Sequence, residues 1–154
     1  MYTEQDYQDI NDQLHSRIMG MAVPAALLAA AVIATFIYRI QWATIVGTVL
    51  IGFYCVFFYS LLVQPVAAYR RHLDGVLHGR TRTLTGAFKN MEADIAIREG
   101  VQYYPMTLSV GKMDDPNDDR LLYYDANLPR PDWQVGDALT VTIHDKAVGD
   151  WKRE

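Results

Sequence analysis

At 154 residues, with 14 Lys and Arg against 18 Asp and Glu, the chain carries a formal net charge of −4. That balance argues against a protein that grips phosphate backbones electrostatically. A single cysteine, Cys55, excludes an intrachain disulfide framework, and its apolar neighbours predict a protonated, inert thiol. The average composition blends two unlike parts: residues 17–69 are almost all apolar, whereas residues 70–154 are mixed-charge and long enough for one small domain.

In chain order, residues 1–16 come first. Thr3 with Asp6 resembles a capping box, and Tyr7, Ile10 and Leu14 recur at helical spacing. The pattern predicts a short amphipathic helix whose acidic face suits docking on the carboxy-terminal domain better than anionic lipid. Glu4, Asp6, Asp9 and Asp12 are also the wrong flank for a signal peptide.

Residues 18–38 and 42–63 contain no Asp, Glu, Lys, Arg or His. As helices rising ~1.5 Å per residue they reach ~31–33 Å, the thickness of a hydrocarbon core. Residues 17–64 are therefore read as a transmembrane hairpin turned by Arg39-Ile40-Gln41. Ala22, Ala26, Ala30 and Ala34 on the first span, with Gly47 and Gly52 on the second, are candidates for close helix packing. Packing within the hairpin takes precedence over a homo-oligomer seam. Tyr38, Trp42 and Tyr69, with Arg70 and Arg71, are candidate membrane-interface anchors. Arg70, Arg71, Arg80 and Arg82 outweigh Arg39, so the positive-inside rule puts both termini in the cytoplasm of a plasma or inner membrane.

Residues 65–79 predict a helical stalk stopped by Gly79. In residues 80–154 the hydrophobic period becomes two. Leu84, Gly86 and Phe88 alternate with Thr83 and Thr85; Ile95 and Ile97 flank Ala96; Tyr104, Met106, Leu108 and Val110 alternate with Thr107 and Ser109; residues 120–125 form an aromatic run; Leu139, Val141 and Ile143 alternate with Thr140 and Thr142. Glu99-Gly100, residues 114–119, Pro129 with Pro131, and Val135-Gly136-Asp137 supply turns. Five or six short strands without an intervening helix predict an all-β barrel, because closure hides sheet edges. The fold class expected is thus an α+β membrane protein: a two-helix transmembrane hairpin followed by a small OB-like or SH3-like barrel.

The segment Trp133-Gln-Val-Gly-Asp-Ala-Leu-Thr-Val-Thr142 resembles the turn and strand leading into the late strands of such barrels. With the preceding hairpin, the general layout resembles that of bacterial two-span membrane proteins of the NfeD type, which implies an OB-fold tail.

Chemistry-bearing motifs are sparse. Asp115, Asn117 and Asp119 mimic the start of an EF-hand loop, but Arg120 stands where Gly is needed and Ala126 where a bidentate Glu belongs. A solvated turn is favoured over weak cation binding at residues 114–119. His15, His72, His78 and His144 have no zinc-site spacing. No nucleophile elbow or phosphate loop is present, so no catalytic, cofactor-binding or metal residue is expected, and no cofactor. One tyrosine of each pair Tyr103/Tyr104 and Tyr123/Tyr124 should face the core and the other outward. Tyr103, Tyr123 and Trp133 with Arg82 and Arg98 form the candidate partner surface. The expected role is a non-enzymatic, membrane-anchored adaptor whose barrel binds another membrane or cytoplasmic protein. A tethered single-stranded nucleic-acid binder, or an accessory transporter subunit, are the alternatives.

Overall fold

A computed structural model describes residues 1–113 and 115–154. The chain forms two compact units: residues 8–67, and residues 1–7 together with 68–154. The order is helical first, then β: α1 (Glu4–Ile37), α2 (Gln41–Phe58), a π-helical segment (Tyr59–Val63), α3 (Gln64–His78), and strands β1 (Arg82–Met91), β2 (Ala96–Arg98), β3 (Val101–Ser109), β4 (Asp119–Asp125), β5 (Ala138–His144) and β6 (Ala147–Arg153).

The predicted capping box is present. Thr3 N–H donates to Asp6 Oδ2 at 2.8 Å and Asp6 N–H to Thr3 Oγ1 at 3.2 Å. From there α1 runs unbroken to Ile37, so residues 4–16 are not a separate helix. Nothing between His15 and Gly20 breaks the backbone pattern, and a helix once nucleated propagates cheaply.

The turn after α1 is a Schellman closure. Ile40 N–H reaches Thr35 O at 3.0 Å, Arg39 N–H reaches Phe36 O at 3.1 Å, and Arg39 adopts φ 57°. Contacts across the hairpin run through Thr44 Oγ1 to Thr35 Oγ1 at 3.1 Å, Tyr54 hydroxyl to Met21 O at 3.5 Å, and Gly47 against Val32. Ala22, Ala26, Ala30 and Ala34 are all exposed, as is Gly52. The face of α1 that meets α2 runs instead along the half-buried Met21, Ala25, Val32 and Thr35, with Val32 set against Gly47.

Pro65 lacks the N–H that a regular helix would offer to Leu61 O, and its ring crowds that carbonyl. The chain responds upstream by widening into the π segment, with Gln64 N–H bonded to Tyr59 O. Arg17 then donates to Leu62 O at 3.0 Å. Leu14, Val63 and Val66 pack beside it. Both helical stretches, Glu4–Ile37 and Gln41–His78, are long and apolar enough to cross a membrane, and nothing in the most apolar window of either is buried.

The strands form one six-stranded sheet in the order β1-β5-β6-β4-β3-β2, and β1 pairs also with β3. Five strands therefore make a partial ring, completed by a single parallel register pair, Tyr123 with Ala147. Leu108, Leu139, Val141 and Val148 are fully buried at its centre beside Phe88, Met106 and Trp133. From Ala68 onward α3 covers the outer face. Leu73 is 1% exposed, and Gly149 on β6 lets Val76 approach so closely that a Cβ there would lie 2.5 Å from it.

Two hairpins use the two-residue turn that matches strand twist, with both central residues at positive φ. Glu99 (52°) and Gly100 (82°) join β2 to β3, and Asp145 (45°) and Lys146 (72°) join β5 to β6. Gly100 also touches α3, where an added Cβ would sit 2.9 Å from Ala68. Thermal unfolding of the detergent-solubilised protein should separate the two turns. Lys146→Gly relieves a left-handed side chain and should stabilise by about 1 kcal/mol, whereas Gly100→Ala should destabilise by about the same or more. Equal, negligible effects would contradict this reading of the turns.

Candidate functional site

The β-rich unit has an unusual centre. Asp125, the last residue of β4, is 0% exposed. A carboxylate taken from water needs compensating partners, and here all are hydrogen-bond donors. Oδ2 accepts from Tyr2 hydroxyl at 2.8 Å and Tyr69 hydroxyl at 2.7 Å. Oδ1 accepts from Asn127 N–H at 2.8 Å and Asn127 Nδ2 at 2.9 Å. These fill the lone-pair directions of a carboxylate.

The network extends to His72 on α3. Because Tyr2 gives its proton to Asp125, its oxygen is left to accept from His72 Nε2, 3.3 Å away. His72 Nδ1 then accepts from Tyr103 hydroxyl at 3.0 Å. A neutral imidazole protonated on Nε2 satisfies every member. Burial holds the His72 pKa below its ordinary value; Asp125 opposes the shift and His144 adds to it. Burial, then the negative charge of Asp125, raises Tyr2 and Tyr103; for Tyr69 the hydrogen bond to Asp125 follows burial.

Beside this network lies a cleft of about 150 Å³, lined by Ala68, Arg71 and His72 from α3, Arg98, Glu99, Val101 and Tyr103 from the β2–β3 hairpin, Tyr123, and His144, Asp145 and Ala147 from the β5–β6 hairpin. The Arg98 guanidinium stacks 4.5 Å above the Tyr123 ring. His144 Nδ1 donates to Arg80 O at 3.0 Å. Its Nε2 lies 3.6 Å from Asp145.

Of the residues singled out from sequence, Arg98 and Tyr123 come together at this cleft. Tyr103 lines it too, but is 6% exposed because Ala68 and α3 cover the face that alternation left outward. Trp133 is 8% exposed in the ring core against Phe88, Tyr124 and Trp151, so it presents no outward ring. Arg82 is exposed at the start of β1, opposite Ile143. Tyr69 belongs to the Asp125 network rather than to an aromatic belt. Tyr38 and Trp42 stay exposed beside the hairpin turn. Arg71 lines the cleft, and Arg70 flanks it in sequence. Tyr2 and Asp125 carried no sequence signal beyond an acidic residue ending a strand.

Asp114, part of the acidic stretch, lies outside the described residues. Its neighbours are engaged locally: Asp115 caps Asn117 N–H at 2.9 Å, Asp118 accepts Lys112 N–H at 2.7 Å, and Asp119 pairs with Lys89 at 2.7 Å. Among the described residues no group of three His, Cys, Asp or Glu side chains is arranged to hold a metal ion. No family model, curated protein or solved structure matches this chain.

Two predictions test the network. Asp125→Ala leaves buried hydroxyls without an acceptor and should cost on the order of 3 kcal/mol, while Asp125→Asn, which retains an acceptor oxygen, should cost less; equal and small losses in chemical denaturation would contradict the network. The second concerns pH. Below the ordinary histidine value of 6.5 the unfolded chain protonates before folded His72 does, so stability should fall as pH drops from there. Above the ordinary tyrosine value of 10.0 unfolded tyrosines ionise first, so stability should fall again. Melting temperature should therefore plateau between the two, and His72→Gln should flatten the acid limb; an unchanged acid limb would refute the assignment.

Proposed function

We propose that this chain is a membrane-anchored, non-enzymatic adaptor: two antiparallel helices in a plasma or inner membrane carry an OB-like barrel on the cytoplasmic side, and the barrel binds another protein. Exposed side chains on the hairpin support the anchor, among them Leu27, Phe36 and Phe53, each about 70% exposed. Leaving such surface in water forgoes ~25 cal/mol per Å² of burial. Arg17 joins Arg70, Arg71, Arg80 and Arg82 on the flank opposite Arg39, which favours cytoplasmic termini. The five-stranded partial ring with one parallel closure favours an OB-like barrel over an SH3-like one.

The observation that carries the binding role is the open edge of the sheet. β2 ends the strand order and pairs only with β3; Ile97 on it and Ile95 just before it are exposed. Unpaired edges accept an added strand, with main-chain hydrogen bonds giving affinity and pockets for alternate side chains giving specificity. Non-enzymatic character is supported by His72 and its tyrosines, whose polar atoms are consumed by one another. Tethering raises effective concentration, so a weak edge contact suffices.

A photo-crosslinker placed at Ile97 in carbonate-washed membranes should give a discrete adduct with one protein, and the adduct should be absent when the crosslinker replaces Lys152. Adding Ile95→Lys should abolish the adduct while the chain stays in the membrane. Release of the chain into the carbonate wash, or identical adducts from both positions, would overturn the proposal.

A further inference from the structure

We propose that the cleft between α3 and the β2–β3 hairpin binds one tetrahedral oxyanion: the phosphate of a small phosphomonoester or of a lipid headgroup. Two guanidiniums line it, Arg71 from α3 and Arg98 from β2. Neither makes an ion pair or hydrogen bond among the described residues. Arg98 is held by its face against Tyr123, 4.5 Å from the ring centroid, which leaves the N–H edge of its fork for a ligand.

The choice of a tetrahedral anion follows from donor count. A carboxylate is satisfied by one bidentate fork, whereas a phosphate has oxygens for a fork from each arginine. The cleft volume, about 150 Å³, is that of roughly five waters at ~30 Å³ each. That accommodates a phosphate and a few carbons against Ala68, Val101 and Ala147. Glu99 and Asp145, both exposed at hairpin tips, line the rim. Their charge disfavours a polyanion such as a nucleic-acid backbone more than one compact anion, because the repulsion grows with the ligand's charge. His72 contributes no free donor, since both ring nitrogens are engaged. The inference is independent of partner docking: Ile97 and Arg98 alternate on β2, so the edge and the cleft use different side chains.

The test uses the full chain in phosphatidylcholine nanodiscs, titrated with inorganic phosphate and with glycerol 3-phosphate and followed by intrinsic tyrosine and tryptophan fluorescence. A parallel arm compares nanodiscs containing phosphatidic acid with phosphatidylcholine alone. Saturable binding at millimolar concentration or below is expected, weakened at least tenfold by Arg71→Ala and by Arg98→Ala and unchanged by Lys152→Ala. Competition by phosphatidic acid assigns the site to a headgroup; its absence assigns the site to a soluble phosphomonoester. Should either alanine variant fail to fold, Arg71→Lys and Arg98→Lys replace it, because the loss of the bidentate fork should still weaken binding. No saturation in any arm, or binding that both arginine variants retain in full, overturns the proposal.

Discussion

One buried carboxylate organises the β-rich unit. Asp125 sits at the end of β4, opposite Tyr103 on β3, and takes hydroxyl donors from the amino-terminal segment (Tyr2) and from α3 (Tyr69). Its neighbour Tyr103 reaches a second α3 residue, His72. Apolar contact alone would let a helix slide across a sheet face, since dispersion is non-directional. Directional bonds to one carboxylate fix where α3 and the first residues lie on the ring. Among the described residues no Lys or Arg pairs with Asp125, so its burial is offset wholly by hydrogen bonds. That makes the arrangement intolerant of losing any donor.

The helical unit follows a complementary pattern, in which several of its few polar side chains bond to nearby backbone carbonyls. Thr35, Thr44 and Thr48 hydroxyls bond to backbone carbonyls of their own helices. The defect imposed by Pro65 is absorbed by the π segment, and Arg17 meets the adjacent carbonyl of Leu62. A hairpin of two helices, whose backbone bonds lie within each helix and whose surface is apolar, suits hydrocarbon. The proposed anchoring rests on that match.

Much of this was legible in the sequence because it depends on local rules. The two apolar runs, the Thr3 capping box, the period-two segments and the Glu99-Gly100 turn all correspond to observed elements. β6 was harder to read: Val148 and Trp151 are its only large apolar residues, and Gly149 interrupts the pattern. Alternation assigned Tyr103 to the face opposite Tyr104 but could not show that α3 covers that face. The same blindness hid Tyr69, whose position after an apolar run suits an interfacial belt as well as a buried hydrogen bond. The alanine stripe on α1 shows the limit differently. Small residues permit close approach, yet Val32 against Gly47 sets the observed face. Arg98 and Tyr123 were singled out from the sequence and do lie together, Arg98 exposed and Tyr123 half-buried; the cleft they share with Arg71 depends on contacts between elements far apart in the chain.

The most direct test of the organising network is the ¹⁵N spectrum of His72 in the intact protein near neutral pH. A single tautomer is predicted, with a protonated Nε2, an unprotonated Nδ1 shifted by an accepted hydrogen bond, and slowly exchanging hydroxyl protons nearby. Averaged shifts from freely interconverting tautomers, with hydroxyls exchanging at solvent rates, would show that no such network holds α3 to the strands.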